Sequence, residues 1–215
     1  IESRTLKLFA ISESRVDQLL RPLTPSSNPT VAVYAKQDGI YVRITAKARD
    51  HEAAATAIGP VEMEARALLG QAVWGSDEET QEQVTERMLH ERGLTLGLAE
   101  TATRGRLAVM LAGPAGHPEV FRGSLVLPDW PLDADSVSEL AGRVAREFEA
   151  DIGLATGGTA TADADFPMTD VHIAIVQPSR GYAVTRTHRS RPFRVQSLGS
   201  YYALHELRIF LASHS

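Results

Sequence analysis

Glu100, Thr101, Thr103 and Arg104 place a carboxylate, two hydroxyls and a guanidinium within five residues. The apolar run from Leu94 to Ala99 reads as a buried strand, and a helical pattern opens near Arg104. A strand-to-helix turn gathers backbone N–H groups, so it suits an anion or a nucleophile. A hydroxyl nucleophile needs a base to take its proton, usually a histidine or a desolvated lysine. The only lysines are Lys7, Lys36 and Lys47, so no lysine follows residue 47. A lysine base for Thr101 would have to come from the first part of the chain or from a partner. Two readings of Thr101 stand side by side: a nucleophile, or a turn residue that with Thr103 caps the next helix. Arg104 is read as a phosphate ligand, as a plug at the mouth of the site, or as a partner of Glu100. Glu100 is read as a structural acceptor.

The other candidates are plainer. The seven histidines, His51, His90, His117, His172, His188, His205 and His214, show no H-E-x-x-H spacing. Asp163, Asp165 and Asp170 share one stretch but lack the glycine and glutamate of an EF-hand, so a solvated acidic loop is expected. Arg186 to Arg191 is a basic run ahead of a helix, read as solvated surface. There is no cysteine, which excludes thiolate nucleophiles, disulfides and thiolate metal sites. No metal site and no cofactor are expected.

These residues need a frame. The chain has 215 residues, 43% hydrophobic and 23% charged, the composition of a globular protein. No apolar run approaches the ~18 residues of a membrane span. No signal peptide is visible, and Ile1 enters a strand-like pattern at once, so the chain reads as a piece of something longer. Net charge is −5, unevenly spread: residues 1–75 carry nine basic against eight acidic groups, the remainder thirteen against nineteen.

Residues 1–75 read as β-α-β-β-α-β. Strands are expected at 5–11, 30–36, 40–47 and 72–74, with Gln37-Asp38-Gly39 as a hairpin turn. Helices are expected from Ser12 and from Asp50, the second broken at Gly59-Pro60. Residues 76–215 read as a mixed sheet with helices on both faces. Ser76–Glu79 and Ser136–Glu139 have the spacing of capping boxes and should open helices. Strands are expected at 94–99, 120–127, 151–155, 171–177 and 182–188, with a loop over 156–170 and a last helix over 193–211. The fold class is α/β, a small α/β unit at 1–75 and a three-layer α/β/α unit at 76–215.

Ala99-Glu100-Thr101-Ala102-Thr103-Arg104-Gly105 resembles the AES-C-T-G-G signature of the CinA C-terminal domain, the nicotinamide-nucleotide amidase family. Further segments follow in the family's order. Ile40 to Ala48 is similar to the strand of the KH-like middle domain. Val120-Phe121-Arg122-Gly123-Ser124 is similar to "FRGG", and Ala150 to Ala155 to the strand before "TGIAGP". Asp170 to Ile175 is similar to "GTVYIAL". The resemblance implies a KH-like domain at 1–75 and a CinA C-terminal-type domain at 76–215. It implies an amidohydrolase releasing ammonia from nicotinamide mononucleotide, with Thr101 at the nucleophile position. It further implies a nucleotide ligand near Glu100, Thr103, Arg104, Gly105, Thr156 and Gly157, and a homo-oligomer, a dimer, in the cytoplasm.

The chain departs from that pattern at the reactive positions. Thr101 replaces the family's serine and Arg104 its first glycine. The "YSNEAK"-like segment with the family's tyrosine and lysine is shortened to Leu127-Pro128-Asp129-Trp130-Pro131-Leu132-Asp133. The alternative to an impaired amidase is a non-catalytic module for assembly or ligand sensing beside an upstream nucleotide-processing domain. No GXXG tetrad occurs before residue 76 and charge there is balanced, so nucleic-acid binding is not expected.

Overall fold

A computed structural model describes residues 1–112, 118–127, 132–160 and 168–213. The chain divides into two compact units, Ile1–Thr80 and Gln81–Ser215.

The first unit is a four-stranded antiparallel sheet ordered β2-β3-β1-β4, from β1 (Glu2–Leu8), β2 (Thr30–Lys36), β3 (Gly39–Ala46) and β4 (Val73–Ser76). Ser12 caps α1 (Glu13–Leu20) by accepting from the Arg15 N–H. Asp50 does the same for α2 (His51–Leu69) through the Ala53 N–H. Ile40, Val42 and Ile44 alternate inward on β3 and meet Leu6, Leu8, Leu20, Ile58 and Leu69 in one core. Gly39 sits at φ 143°, and a Cβ there would overlap the Leu8 carbonyl oxygen, so the hairpin turn requires glycine.

Two local expectations are corrected in this unit. Helix α2 does not break at Pro60. Ala54, Ile58, Ala65 and Leu69 form one buried stripe running past the proline, which lies on the exposed side. Burial of that stripe outweighs the lost backbone bond. Ser76 does not open a helix, although its N–H and hydroxyl both reach Glu79 Oε2, at 2.8 and 3.2 Å. Asp77 stands at φ 48°, a left-handed conformation that no first helical residue adopts. Its carboxylate accepts from the Thr5 N–H at 2.9 Å and pairs with Arg4. Those bonds tie residues 76–79 to β1, and the next helix starts only at Gln81.

The second unit is a five-stranded sheet ordered β6-β5-β7-β8-β9. Its strands are β5 (Leu96–Glu100), β6 (Phe121–Val126), β7 (Ile152–Ala160), β8 (Thr169–Gln177) and β9 (Tyr182–Ser190). β5 is central and parallel to β6 and β7; β8 and β9 are antiparallel additions. Its helices are α3 (Gln81–Glu91), α4 (Arg106–Leu111), α5 (Ala134–Glu147) and α6 (Val195–Ser213). Leu96, Leu98, Leu154, Ile173 and Ile175 pack with Leu89, Leu107, Leu204 and Leu207 on one face. Ala99, Ala155 and Ala174 pack with Val137, Ala141 and Val144 of α5 on the other. Small residues on that side let α5 come close: a Cβ on Gly153 would overlap the Ala141 carbonyl oxygen.

Here too the sequence misleads twice. Asp133, not Ser136, caps α5, its Oδ1 accepting from the Ser136 N–H at 2.9 Å. The stretch from Thr156 is not loop at its start. β7 runs on to Ala160 because Thr156, Gly157, Gly158 and Thr159 pair with Ile173, His172, Val171 and Asp170. Gly157 and Gly158 are strand glycines under close packing, where a Cβ on Gly157 would overlap Val137.

A contrast of two glycine substitutions checks this packing. Gly153→Ala should destabilise the protein by about 3 kcal/mol, since backbone of α5 must move. Gly59→Ala, in α2 with nothing within 4 Å of the added carbon, should be neutral or stabilise by up to about 1 kcal/mol. Urea denaturation of both variants measures the difference.

Candidate active site

The turn after β5 is organised by a carboxylate. Glu100 is fully buried at the end of the central strand. Its Oε2 accepts from the Thr103 hydroxyl at 2.7 Å and the Leu107 N–H at 3.0 Å. Its Oε1 accepts from the Ala108 N–H at 2.8 Å, with the Ser124 hydroxyl of β6 at 3.5 Å. Two of the first N–H groups of α4 are therefore held by a side chain of the protein itself. This is capping by a residue six positions ahead of the helix, made possible by the tight turn at Gly105, φ 83°.

The hydroxyls form a directed chain. A carboxylate only accepts, so Thr103 donates to Glu100. Thr103 Oγ1 also lies 2.7 Å from Thr156 Oγ1, so Thr156 is the donor in that bond. Thr101, 4% exposed, donates its hydroxyl to the Thr156 carbonyl at 3.1 Å, and its N–H goes to the same oxygen at 3.0 Å. Among the described residues no histidine or lysine hydrogen-bonds the Thr101 hydroxyl. Four of the seven site residues read from the sequence thus meet: Glu100, Thr101, Thr103 and Thr156.

The other three do different things. Arg104 is exposed and stands at φ 51°, the left-handed conformation that glycine adopts most easily. Gly105 supports the turn, with Val126 Cγ2 3.5 Å from where its Cβ would be. Gly157 is in β7 against Leu132 and Val137. Ser124 is a participant the sequence reading missed. The signal was the parallel strand carrying it, whose pairing sets Ser124 beside Leu98.

Two polar groups lie elsewhere in this unit. His172 on β8 is buried between hydroxyls, Nε2 3.2 Å from Thr159 Oγ1 and Nδ1 2.9 Å from Thr187 Oγ1. Asp170 pairs with Arg189 at 2.8 Å, which holds its carboxyl below the ordinary value. Asp163 and Asp165 lie outside the described residues, as do His117 and His214. Among the described residues no three metal-binding side chains converge, and no helix is long and apolar enough to cross a membrane. On β9 and α6, His188 stacks on Tyr202 at 4.0 Å between centroids and bonds Glu206 Oε1 at 2.8 Å. Burial pushes the neighbouring His205 down to about 4, helped by the Arg208 charge, against a pull from Glu206.

Two predictions follow from these bonds. Glu100→Gln puts an amide N–H₂ against donors of the turn and should cost about 2 kcal/mol of stability in urea denaturation. His205, neutral in the folded state, gains its proton more readily when unfolded. Its contribution is complete above the unfolded value near 6.5 and is lost as pH falls toward 4. Stability should drop by about 2 kcal/mol across that window, and His205→Gln should flatten the drop. Thermal melts between pH 7 and pH 4 measure it.

Residues 3–75 match the model of the damage-inducible protein CinA KH domain. A CinA-like protein from Thermomicrobium roseum is 34% identical across 100% of this chain and 54% of its own length. A putative competence-damage inducible protein from Clostridium kluyveri is 33% identical over 78% of this chain and 45% of its own. The chain spans about half the length of these curated relatives. A competence or damage-inducible protein from Enterobacter asburiae has the same fold over 62% of this chain and 99% of its own, TM-score 0.51, at 22% identity. With a KH-domain match on the first unit and a 34%-identical relative that covers the chain end to end, the protein belongs to the CinA family.

Proposed function

We propose that this chain is a CinA-type piece whose second unit retains a nicotinamide-nucleotide amidase fold without effective hydrolysis. The observation that supports this is the Thr101 hydroxyl, which donates to the backbone carbonyl of Thr156. Attack on a carboxamide requires a group that takes the hydroxyl proton, and an amide carbonyl is not basic enough to do so. No lysine occurs in this unit. The N–H groups of Leu107 and Ala108 face Glu100, so they are not free to steady an oxyanion. The reading leaves Arg104 as an exposed cation at the turn, suited to the phosphate of a nucleotide ligand.

The second reading is a non-catalytic module for assembly or ligand sensing beside a nucleotide-processing domain. Val109, 76% exposed, and Val126, 44% exposed, favour it. Gly105 lies between them: a Cβ there would be 3.5 Å from Val126 Cγ2, and its carbonyl accepts from the Val109 N–H. They offer an apolar spot for a homo-oligomer contact. A cytoplasmic setting goes with either reading.

Ammonia release from nicotinamide mononucleotide tests the first reading. The unmodified chain should release none above a protein-free control. Thr101→Ser should stay silent, since a better nucleophile still lacks a base. Robust release that Thr101→Val abolishes would make Thr101 a working nucleophile and end this reading.

A further inference from the structure

The four-stranded sheet of the first unit is covered by α1 and α2 on one face. The other face carries a different set of side chains. Pairing of β2, β3 and β1 puts Tyr34 opposite Tyr41, and Tyr41 opposite Lys7. One step along, Arg43 lies opposite Thr5. Lys36 follows Tyr34 on the same side of β2. Together they line an open groove of about 680 Å³, within the range that small ligands occupy.

We propose that this groove binds a nucleotide, its phosphate held by Lys36 and Arg43 and its base lying on the tyrosines. Three observations converge on that chemistry. The first is uncompensated positive charge. Among the described residues neither Lys36 nor Arg43 has an ion-pair partner, and Lys7 Nζ donates only to the Glu79 carbonyl, at 2.9 Å. Of the two acids on the rim, Asp77 is engaged by Arg4 and the Thr5 N–H, which leaves Glu78 against three cations. The second is the aromatic surface. Tyr34 is 46% exposed, and a base stacks on such a ring whatever its sequence identity. The third is preorganisation. Lys7 Nζ lies 5.3 Å from the Tyr41 ring centroid and 5.6 Å from that of Trp74. That cation is held by the Glu79 carbonyl and two ring faces and not by a carboxylate, so it adds fixed positive charge to the groove.

The rim acid Glu78 discourages a continuing phosphate backbone. A single nucleotide is thus favoured over a nucleic-acid strand. The groove is lined by residues of the first unit and the Thr101 turn belongs to the second, so the inference does not depend on the reading of that turn.

Calorimetric titration of the whole chain tests it, with AMP as the probe and adenosine, inorganic phosphate and an eight-nucleotide oligothymidylate as parallel arms. AMP should bind, and binding should weaken as salt is raised. Adenosine and phosphate should each bind at least tenfold more weakly. Lys36→Glu and Arg43→Glu should each weaken AMP binding about tenfold, a change of about 1.4 kcal/mol. Tyr34→Ala should weaken it several-fold, while Lys47→Glu, outside the groove, should leave it unchanged. All of these substitutions are at exposed positions and spare the core. Absence of AMP binding, or full binding by the Lys36 and Arg43 variants, overturns the proposal. So does phosphate or adenosine binding as tightly as AMP. Oligothymidylate binding tenfold tighter than AMP would replace it with a single-strand surface.

Discussion

The Glu100 carboxylate is the constraint around which the second unit's central turn is built. A fully buried carboxylate is costly unless donors surround it. Here the donors come from three places at once: the hydroxyl of the turn, the first N–H groups of α4 and the serine of β6. Removing any of them leaves the others pointing at a group whose burial they no longer offset. The side chain thus fixes where α4 begins, how β6 sits against β5, and which way Thr103 points. Thr103 then fixes Thr156 on β7, so one residue couples three parallel strands and a helix.

That economy has a chemical consequence. A site that stabilises a developing oxyanion keeps donors aimed at the place where that charge appears. The turn after β5 is arranged the other way, with its hydroxyls and two of its amides satisfied internally. The threonine methyl adds to this. Thr103 Cγ2 lies 3.3 Å from where a Cβ of Gly199 would be, so α6 closes against the turn with little space between. Glu100, Thr103 and Thr156 join β5, α4 and β7 through these bonds.

Much of the frame was legible from the sequence because its signals were local. Ser12, Asp38-Gly39 and the alternation of Ile40, Val42 and Ile44 each dictate their own neighbourhood, and the structure places them accordingly. The misses have two causes. Pro60, Ser76 and the Gly157-Gly158 pair carry local signals that a distant contact overrules, whereas at Ser136 a competing local signal wins. A buried stripe carries α2 past Pro60. The tie from Asp77 to Thr5 bends the chain after Ser76, and Asp133 takes the cap position ahead of Ser136. The glycines looked like loop residues, but their small size serves the approach of α5 to β7. Within the site, residue types were visible but bond directions were not. Only the geometry tells that Thr101 donates to a carbonyl and that Glu100 faces amides.

The two units handle polar groups in opposite ways. The second unit covers its sheet on both faces, so polar side chains at the sheet must find partners within the fold, as Glu100, Thr156 and His172 do. A polar group satisfied in this way gains rigidity and loses reactivity. The first unit packs helices on one face of its sheet only, and its other face is polar by the period-two alternation of β1, β2 and β3. Cations there need no internal partner, because water solvates them at little cost. The same alternation that buries Ile40, Val42 and Ile44 therefore delivers Tyr41 and Arg43 outward, beside Lys7 and Tyr34. Lys36 and Arg43 stay exposed on this face because folding did not consume them.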